Sequence, residues 1–464
     1  MKPPLSVLTL CLLLGACGSP AQRPDSGIEP PAAWQSPHTA GVTDTNRQWW
    51  NRFGSPQLGR LIEQARLGSY DFAAAIARVR QARADTVIAG GSQLPEVKAA
   101  VNANRQKLLR GSGYSQLDAD SDNNAVDYFT ANLVASYEID FWGGQRASRD
   151  SAQFSLQASE FDQATVELTL LSAVANGYAQ ALSLQEQSRI AGLNLANAQS
   201  VLKLVQTRFD SGSATALELA QQKSLVAAQQ RQLPLVQQQA EDARISLAAL
   251  LGRPVQALSL GQEHFDQLTW PVIDAGVPSQ LLNRRPDIAR AEAQLAAAQA
   301  DVSVARAAML PTVTLTAEVG SGADRADDIL RSPFYNLTAG LLAPVFNNGR
   351  LGAQRDKATA RQEELLEAYR GAIINGFADV EKALNSIRGL DEQRQWQSEE
   401  LSQAQTAFNI AQSRYQAGAE DLLTVLETQR TLYAAQDLNV QLRLSRMQAS
   451  IALYKALGGG WQVL

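Results

Sequence analysis

The chain has 464 residues, a formal net charge of −5 and a hydrophobic fraction of 45%, which argue against a disordered chain and against a nucleic-acid binder with a basic surface. It contains two histidines and two cysteines, namely His38, His264, Cys11 and Cys17. A zinc site, a catalytic Cys–His pair and a disulfide framework therefore lack the residues that they require. We expect no enzymatic activity, no cofactor and no nucleic-acid partner.

The first 17 residues have the pattern of an export signal. Lys2 precedes an apolar run over residues 5–14 that is too short to span a bilayer. The following Leu14-Gly15-Ala16-Cys17 resembles the bacterial lipobox. This resemblance implies that residues 1–16 are a cleaved signal peptide and that Cys17 carries S-diacylglycerol and N-palmitoyl chains, which anchor a protein firmly. The Pro/Ser/Gly-rich residues 17–45 would then be a lipidated tether; the alternative is an ordinary secretory signal with a chance cysteine.

Most of the remaining chain is an internal repeat. Five sequence features recur in the same order, at offsets that fall from 216 to 205 residues: Asp71 and Asp287, Asp85 and Asp301, Leu94-Pro95 and Leu310-Pro311, Phe141 and Phe346, and Arg208-Phe209-x-x-Gly212 and Arg414-Tyr415-x-x-Gly418. Ordered matches of this kind indicate a duplicated unit. We assign the repeats to residues 46–250 and 286–455, with a connection at 251–285 and a C-terminal tail at 456–464.

Each repeat begins with a predicted helix and continues with two predicted strands. Residues 71–92 and 286–309 have apolar side chains at helical spacing, and a Leu-Pro pair ends both segments. Alternation of apolar and polar residues then predicts four strands, at about residues 96–108, 127–140, 312–321 and 334–343. On periodicity alone, these strands fit a transmembrane β-barrel or a half-buried sheet of a soluble protein.

Long helical segments favour the barrel. Residues 147–209 and 351–415 contain no proline and predict helices of more than 60 residues, each followed by a glycine turn and a return helix at 213–250 or 420–455. Helices of this length must pack as a coiled coil or a helical barrel. Because four strands alone would leave unpaired backbone groups in lipid, membrane strands require an oligomer, and three copies would supply twelve strands.

Together these features resemble the TolC-like outer-membrane efflux factors, and in particular the NodT-type lipoproteins of resistance-nodulation-division (RND) systems. The most specific segments are Leu281–Ile288 (LLNRRPDI), Phe141–Gly143 (FWG), Val345–Arg350 (VFNNGR) and the second Arg-Tyr-x-x-Gly turn. The resemblance implies a mainly α homotrimer. A twelve-stranded outer-membrane barrel, with four strands per chain, would continue into a twelve-helix periplasmic barrel, with an equatorial domain at about residues 22–60, 250–285 and the C-terminal end.

The resemblance also implies a function and partners. The chain would be a passive exit duct for drugs or other small toxic compounds, lipid-anchored in the outer membrane of a Gram-negative bacterium and extending into the periplasm. Its partners would be two further copies, a periplasmic adaptor, an inner-membrane RND transporter and outer-membrane lipid. The alternatives are a type I protein-secretion channel of the same fold, and a periplasmic coiled-coil adaptor or scaffold lipoprotein, which would lack two barrel-length amphipathic hairpins.

The family pattern places functional residues at the two helix turns. Leu423, Glu427 and Arg430 would form the periplasmic gate. Threefold symmetry would turn Leu423 and Glu427 each into a ring that excludes or selects solutes, and Arg430 would pair with a carboxylate or carbonyl on a neighbouring hairpin and hold the tip shut. Six residues would pack the tips or contact the adaptor: Arg208, Phe209, Gly212, Arg414, Tyr415 and Gly418. No catalytic or metal-binding residues are expected.

Overall fold

A computed structural model of the chain describes residues 25–36, 48–107, 125–261 and 263–461. Cys17 and most of the predicted tether lie outside these residues. The helices are α1 (Pro56–Gly68), α2 (Tyr70–Gly91), α3 (Gly144–Asp210), α4 (Ala216–Leu250), α5 (Pro278–Arg284), α6 (Pro286–Ala307), α7 (Arg350–Gln416) and α8 (Leu422–Ala456). The strands are β1 (Glu96–Gln106), β2 (Val126–Ile139), β3 (Thr312–Ala323) and β4 (Pro333–Leu342). The mainly helical fold with two strands per repeat agrees with the predicted class.

The chain divides into two compact units. One contains residues 80–158 and 291–369 and includes the four strands. The other contains residues 27–79, 159–290 and 370–464 and includes both helix turns.

The four strands form one antiparallel meander in the order β1-β2-β3-β4. Val101 pairs with Ala131 across β1 and β2, and Leu315 pairs with Ala339 across β3 and β4. The two halves of the sheet meet where β2 pairs with β3, so each repeat contributes one hairpin. Within the described chain, β1 and β4 each have a strand on one side only. The outer backbone edges of the sheet are therefore open.

Local signals explain where the helices begin and end. The Ser69 hydroxyl accepts a hydrogen bond from the Phe72 amide at the start of α2, and Pro286 occupies the first position of α6. Both helices end before their Leu-Pro pair. The two longest helices, α3 and α7, have 67 residues each, which corresponds to a length of about 100 Å at ~1.5 Å per residue.

A central core in the second unit joins the beginning, middle and end of the chain. Trp49 and Phe53 lie on a short 3₁₀ turn, and Trp49 stacks on Tyr454 of α8 with ring centroids 5.1 Å apart. Tyr178 of α3 and Phe265 of the connecting segment are buried in the same cluster. Aromatic burial of this kind fixes the connecting segment against the helices.

The ends of the two return helices repeat one packing arrangement. Gly252 follows α4 with a φ of +66°, and a Cβ atom there would lie 2.0 Å from the Gly68 carbonyl oxygen at the end of α1. Gly458 follows α8 with a φ of +88°, and a Cβ atom there would lie 1.9 Å from the Arg284 carbonyl oxygen at the end of α5. Only glycine fits both positions, so the sequence duplication is also a duplication of tertiary packing.

One part of the predicted tether packs against the helices. Trp34 is only 7% exposed, and its Nε1–H donates a 2.8 Å hydrogen bond to the Gly276 carbonyl oxygen. Its ring meets Phe377 edge-on, at 6.2 Å between centroids. We call this buried cluster the Trp34 core; it also contains Leu281, Val380 and Leu453. The Trp34 core fixes this part of the N-terminal segment 17 residues after Cys17.

Candidate functional site

The sheet has one apolar face that is exposed to its surroundings. Residues directly opposite each other in the register share a face, so the apolar positions of all four strands line up. They are Val97, Ala99, Val101, Ala131, Leu133, Ala135, Leu315, Ala317, Val319, Leu337, Ala339 and Leu341. Val101 is 77% exposed and Leu337 is 74% exposed. A continuous exposed apolar face indicates contact with lipid or another apolar surface.

The opposite face of the sheet is polar. It carries Asn102, Asn132, Thr316, Glu318 and Thr338. The Asn132 side-chain amide donates a 2.5 Å hydrogen bond to Glu318 Oε1 across β2 and β3. Apolar and polar faces on strands of 10 to 14 residues match the two environments of a transmembrane barrel wall.

The two Arg-aromatic-x-x-Gly motifs form equivalent helix-ending turns. Gly212 and Gly418 have φ values of +77° and +76°, the left-handed conformation that ends α3 and α7. The Ser213 amide donates to the Arg208 carbonyl at 2.7 Å, and the Ala419 amide donates to the Arg414 carbonyl at 2.9 Å. Side-chain caps at Thr215 and Asp421 then start α4 and α8. Each pair of helices is thus a hairpin, and we refer to the two turns as the tips.

Arg208 connects the two tips. Its guanidinium carbon lies 4.3 Å from the centroid of the Tyr415 ring, and its Nη2 donates a 2.6 Å hydrogen bond to the Tyr415 carbonyl oxygen. The carbonyls at the end of α7 carry the negative end of the helix dipole, which favours a cation. Tyr415 is 2% exposed, and burial raises the pKa of its hydroxyl. The first tip is therefore fastened to the second by one arginine.

The other predicted tip residues remain near the surface. Arg414 forms a 3.3 Å ion pair with Glu420 within the second tip. Phe209 is partly exposed, although it is a large apolar residue. These two positions leave a charged and an aromatic side chain accessible around the tips.

The predicted gate residues share one face of α8. Leu423, Glu427 and Arg430 follow each other at spacings of four and three, which places them on one side of a helix. All three are exposed, and Leu423 is 54% exposed. The buried face of the same turns is formed by Leu422, Val425, Leu426 and Gln429. Within the described chain, the side chains of Glu427 and Arg430 have no hydrogen-bond or ion-pair partner.

Buried polar bonds above the tips were not predicted from the sequence. Gln222 donates a 2.8 Å hydrogen bond to the Ala198 carbonyl oxygen within the first hairpin. The Tyr433 hydroxyl of α8 donates to the Asn194 carbonyl oxygen of α3 at 2.8 Å, which joins the two hairpins. Burial raises the pKa of Tyr433 to about 12, so it stays a neutral donor. The sequence signal that could have indicated such buried bonds was a glutamine at a helix position where the periodicity expects an apolar residue.

The Arg-Arg-Pro-Asp motif forms a buried clamp. Arg285 is 8% exposed, and it binds Asp287 through two hydrogen bonds of 2.9 and 2.6 Å. The same guanidinium donates to Asp379 of α7 at 3.0 Å and to the Ala456 carbonyl oxygen of α8 at 3.3 Å. The motif therefore both starts α6 and ties it to two other helices.

Two features are absent from the described residues. These residues contain no group of three or more His, Cys, Asp or Glu side chains that could hold a metal ion. None of the helices in the described ranges is both long and apolar enough to cross a bilayer.

Known proteins with similar sequences were found over nearly the whole chain. A family model described as "Outer membrane efflux protein" matches residues 61–253 and 277–459. The pyoverdine export outer membrane protein OpmQ of Pseudomonas aeruginosa is 64% identical over 99% of this chain and 97% of that protein. OpmQ of Pseudomonas putida is 60% identical over the same shares of the two chains.

A solved structure has the same fold. The MtrE outer membrane channel of Neisseria gonorrhoeae, in its open state, is 26% identical and covers 95% of this chain and 97% of its own. The TM-score is 0.84. Together with the amphipathic sheet and the paired helix hairpins, the family match and this fold show that the chain belongs to the outer membrane efflux protein family of Gram-negative bacteria.

Proposed function

We propose that three copies of this chain assemble into a passive exit duct of a tripartite efflux system. The observation that carries the proposal is the four-stranded meander, which has two open backbone edges and one exposed apolar face. In lipid each unpaired backbone group costs several kcal/mol, so the edges must be closed by other strands. Three copies supply twelve strands, which is within the range of known transmembrane barrels.

The long helices extend this duct into the periplasm. Each chain contributes α3, α4, α7 and α8, and three chains therefore contribute twelve helical segments. A periplasmic adaptor and an inner-membrane RND transporter would meet the tips, where Phe209 and Arg414 are accessible. The chain itself supplies the path, while the transporter supplies the energy, and we assign no catalytic step to it.

The exposed face of α8 is the proposed gate. In a trimer, Leu423 and Glu427 would each form a ring at the narrow end, and a carboxylate ring favours cations over anions. Arg430 has no partner within the described part of its own chain, which leaves it available to a neighbouring copy. Opening would then be a shift between two packing arrangements of the hairpins. Binding of the adaptor and the transporter would change the balance between these two arrangements.

Removing the charged gate residues should increase conductance. We expect the double variant Glu427→Ala, Arg430→Ala to raise single-channel conductance in planar bilayers by about twofold or more, because the ring and its inter-copy contacts are lost. A matched control, Glu400→Ala with Arg231→Ala, removes the same two charges from exposed sites away from the tips. If both double variants conduct like the unmodified protein, Glu427 and Arg430 are not part of the gate.

We propose that the chain is anchored to the outer membrane by lipid on Cys17. The lipobox-like sequence supports S-diacylglycerol and N-palmitoyl modification, with removal of residues 1–16. Cys17→Ser should abolish incorporation of labelled palmitate and leave the fold intact, because the described cores lie downstream of residue 17. Cys11→Ser is the matched control and should keep full labelling, since Cys11 lies in the predicted signal. Labelling of the Cys17→Ser protein would contradict the anchor.

We propose pyoverdine as a cargo of the duct. Support comes from the two OpmQ proteins, which are named for pyoverdine export and are 64% and 60% identical to this chain. In a host that lacks its own pyoverdine exporters, expression of this chain with its cognate pump should restore pyoverdine to the medium. Retention of pyoverdine in the periplasm, with normal surface expression of the chain, would contradict this cargo. A secreted protein in the medium would instead support the type I secretion alternative.

A further inference from the structure

A cavity of about 550 Å³ lies in the second unit, among α3, the start of α6, α7 and α8. Its lining combines apolar side chains, such as Leu168 and Leu390, with Lys382 of α7 and Lys455 of α8. Within the described chain, neither lysine side chain forms an ion pair or a hydrogen bond. The cavity therefore offers two uncompensated ammonium groups beside an apolar wall.

The other charged groups in the lining neutralise one another in part. Arg285 is paired with Asp287 at 2.6 Å and with Asp379 at 3.0 Å, so these three groups together carry one negative charge. The two lysines add two positive charges, which leaves the lining with a net charge of +1. Because the carboxylates are bound to Arg285, the lysines are free to attract an anion.

The cavity lies on a side of α8 next to the one that packs into the central core. The central core takes Leu444, Met447, Ile451 and Tyr454 from α8, while the Trp34 core takes Leu453 and Ala456. Ser445, Gln448, Ala452 and Lys455 line the cavity, and each follows a residue of the central core by one position. One position is a rotation of about 100° around a helix. The cavity therefore lies on a different side of α8 from the central core, and it meets the Trp34 core at Ala456.

We propose that this cavity is a binding site for small amphiphilic anions, which carry a carboxylate or sulfonate on an aromatic or apolar body. The proposal rests on the proposed trimeric duct, in which we take this side of α8 to line the interior. Three copies then place six lysines at one level of the wall. An anionic cargo is held there briefly and released, while a cationic molecule of the same size is not.

A pair of dyes with the same ring system tests the binding. Fluorescein is anionic and rhodamine 6G is cationic, and fluorescence anisotropy reports their binding to the purified full chain in detergent. We expect the double variant Lys382→Gln, Lys455→Gln to weaken fluorescein binding about tenfold, because two partly exposed ion pairs are lost. Its binding of rhodamine 6G should not change. Lys203→Gln with Lys223→Gln removes the same charge near the tips and should change neither. Equal fluorescein affinity in all three proteins would overturn the site.

Chemical labelling tests whether the cavity is open in the assembly. Ser386 lines the cavity and is exposed. We expect Ser386→Cys to react faster with an anionic methanethiosulfonate sulfonate than with its trimethylammonium analogue, and the ratio to fall when both lysines are replaced. No reaction with either reagent would mean that a neighbouring copy covers the cavity, which overturns the proposal. Charge-selective labelling in a protein that carries no single-channel current would support the site and contradict the duct.

Discussion

Gly458→Ala is expected to lower the free energy of unfolding by about 3 kcal/mol or more, the combined cost of a left-handed backbone and a steric overlap. Gly458 has a φ of +88°, and an added Cβ atom would lie 1.9 Å from the Arg284 carbonyl oxygen. That oxygen belongs to the backbone at the end of α5, so the overlap cannot be relieved by rotating a side chain. The residues after α8 would have to separate from the start of α6.

Two further glycines make this prediction specific. Gly252→Ala creates the same overlap in the first repeat, with the Gly68 carbonyl oxygen, and should cost a similar amount. Gly371 lies inside α7 with open space around its Cβ position, so Gly371→Ala should stabilise the protein by about 0.5–1 kcal/mol through helix propensity. Denaturation of the purified proteins in detergent gives all three values. Equal stabilities for the three variants would contradict the duplicated packing described above.

Arg285→Met should also be destabilising, by about 1.5–3 kcal/mol, because it removes the charge-assisted hydrogen bonds of a buried guanidinium to Asp287 and Asp379, whose side chains are 28% and 48% exposed. Arg285 is buried and holds Asp287, Asp379 and the Ala456 carbonyl oxygen together. The neighbouring Arg284 forms no ion pair within the described chain, so Arg284→Met is the matched control. Thermal unfolding followed by circular dichroism distinguishes the two. A melting temperature of Arg285→Met equal to that of Arg284→Met would show that the clamp contributes little.

The Arg285 clamp should also make stability depend on pH. Burial alone raises the pKa of Asp287, but the hydrogen bonds and the charge of Arg285 lower it, and the net effect is a lowered pKa. A lowered folded-state pKa gives stability that is fully present above the unfolded value of about 3.9. This stabilisation is lost as the pH falls through the folded-state pKa of Asp287. The difference between the unmodified protein and Arg285→Met should therefore be largest near neutral pH and shrink below about pH 4.

The sequence predicted the order and type of the main elements because their periodicities are strong and sustained. The helix ends were less accurate, since they depend on local hydrogen bonds. Helix α3 begins at Gly144 rather than at residue 147, because the Asp140 carboxylate accepts hydrogen bonds from the amides of Gln145 and Arg146. Helix α7 begins at Arg350, where the Asn347 side chain accepts from the next amide.

Other features were not predicted, because no repeated sequence pattern indicates them. Helix α1 follows a Ser55 N-cap and has Pro56 as its first residue. It has only 13 residues over which a helical periodicity of apolar residues can be recognised. Trp34 stands alone in a proline-rich segment, and its burial depends on residues more than 200 positions away. The contact between Arg208 and Tyr415 joins two turns 207 residues apart. Turn motifs predict each tip separately, but not the bond between them.

The central claim is that three copies close their four-stranded sheets into one barrel. Single-particle imaging of the detergent-extracted full chain tests this most directly, because it reports copy number and symmetry without reference to cargo or partners. The account predicts a threefold-symmetric particle with a continuous central channel, in which β1 of each copy lies beside β4 of the next. A monomeric particle, or an assembly in which the outer edges of β1 and β4 stay unpaired, would contradict it.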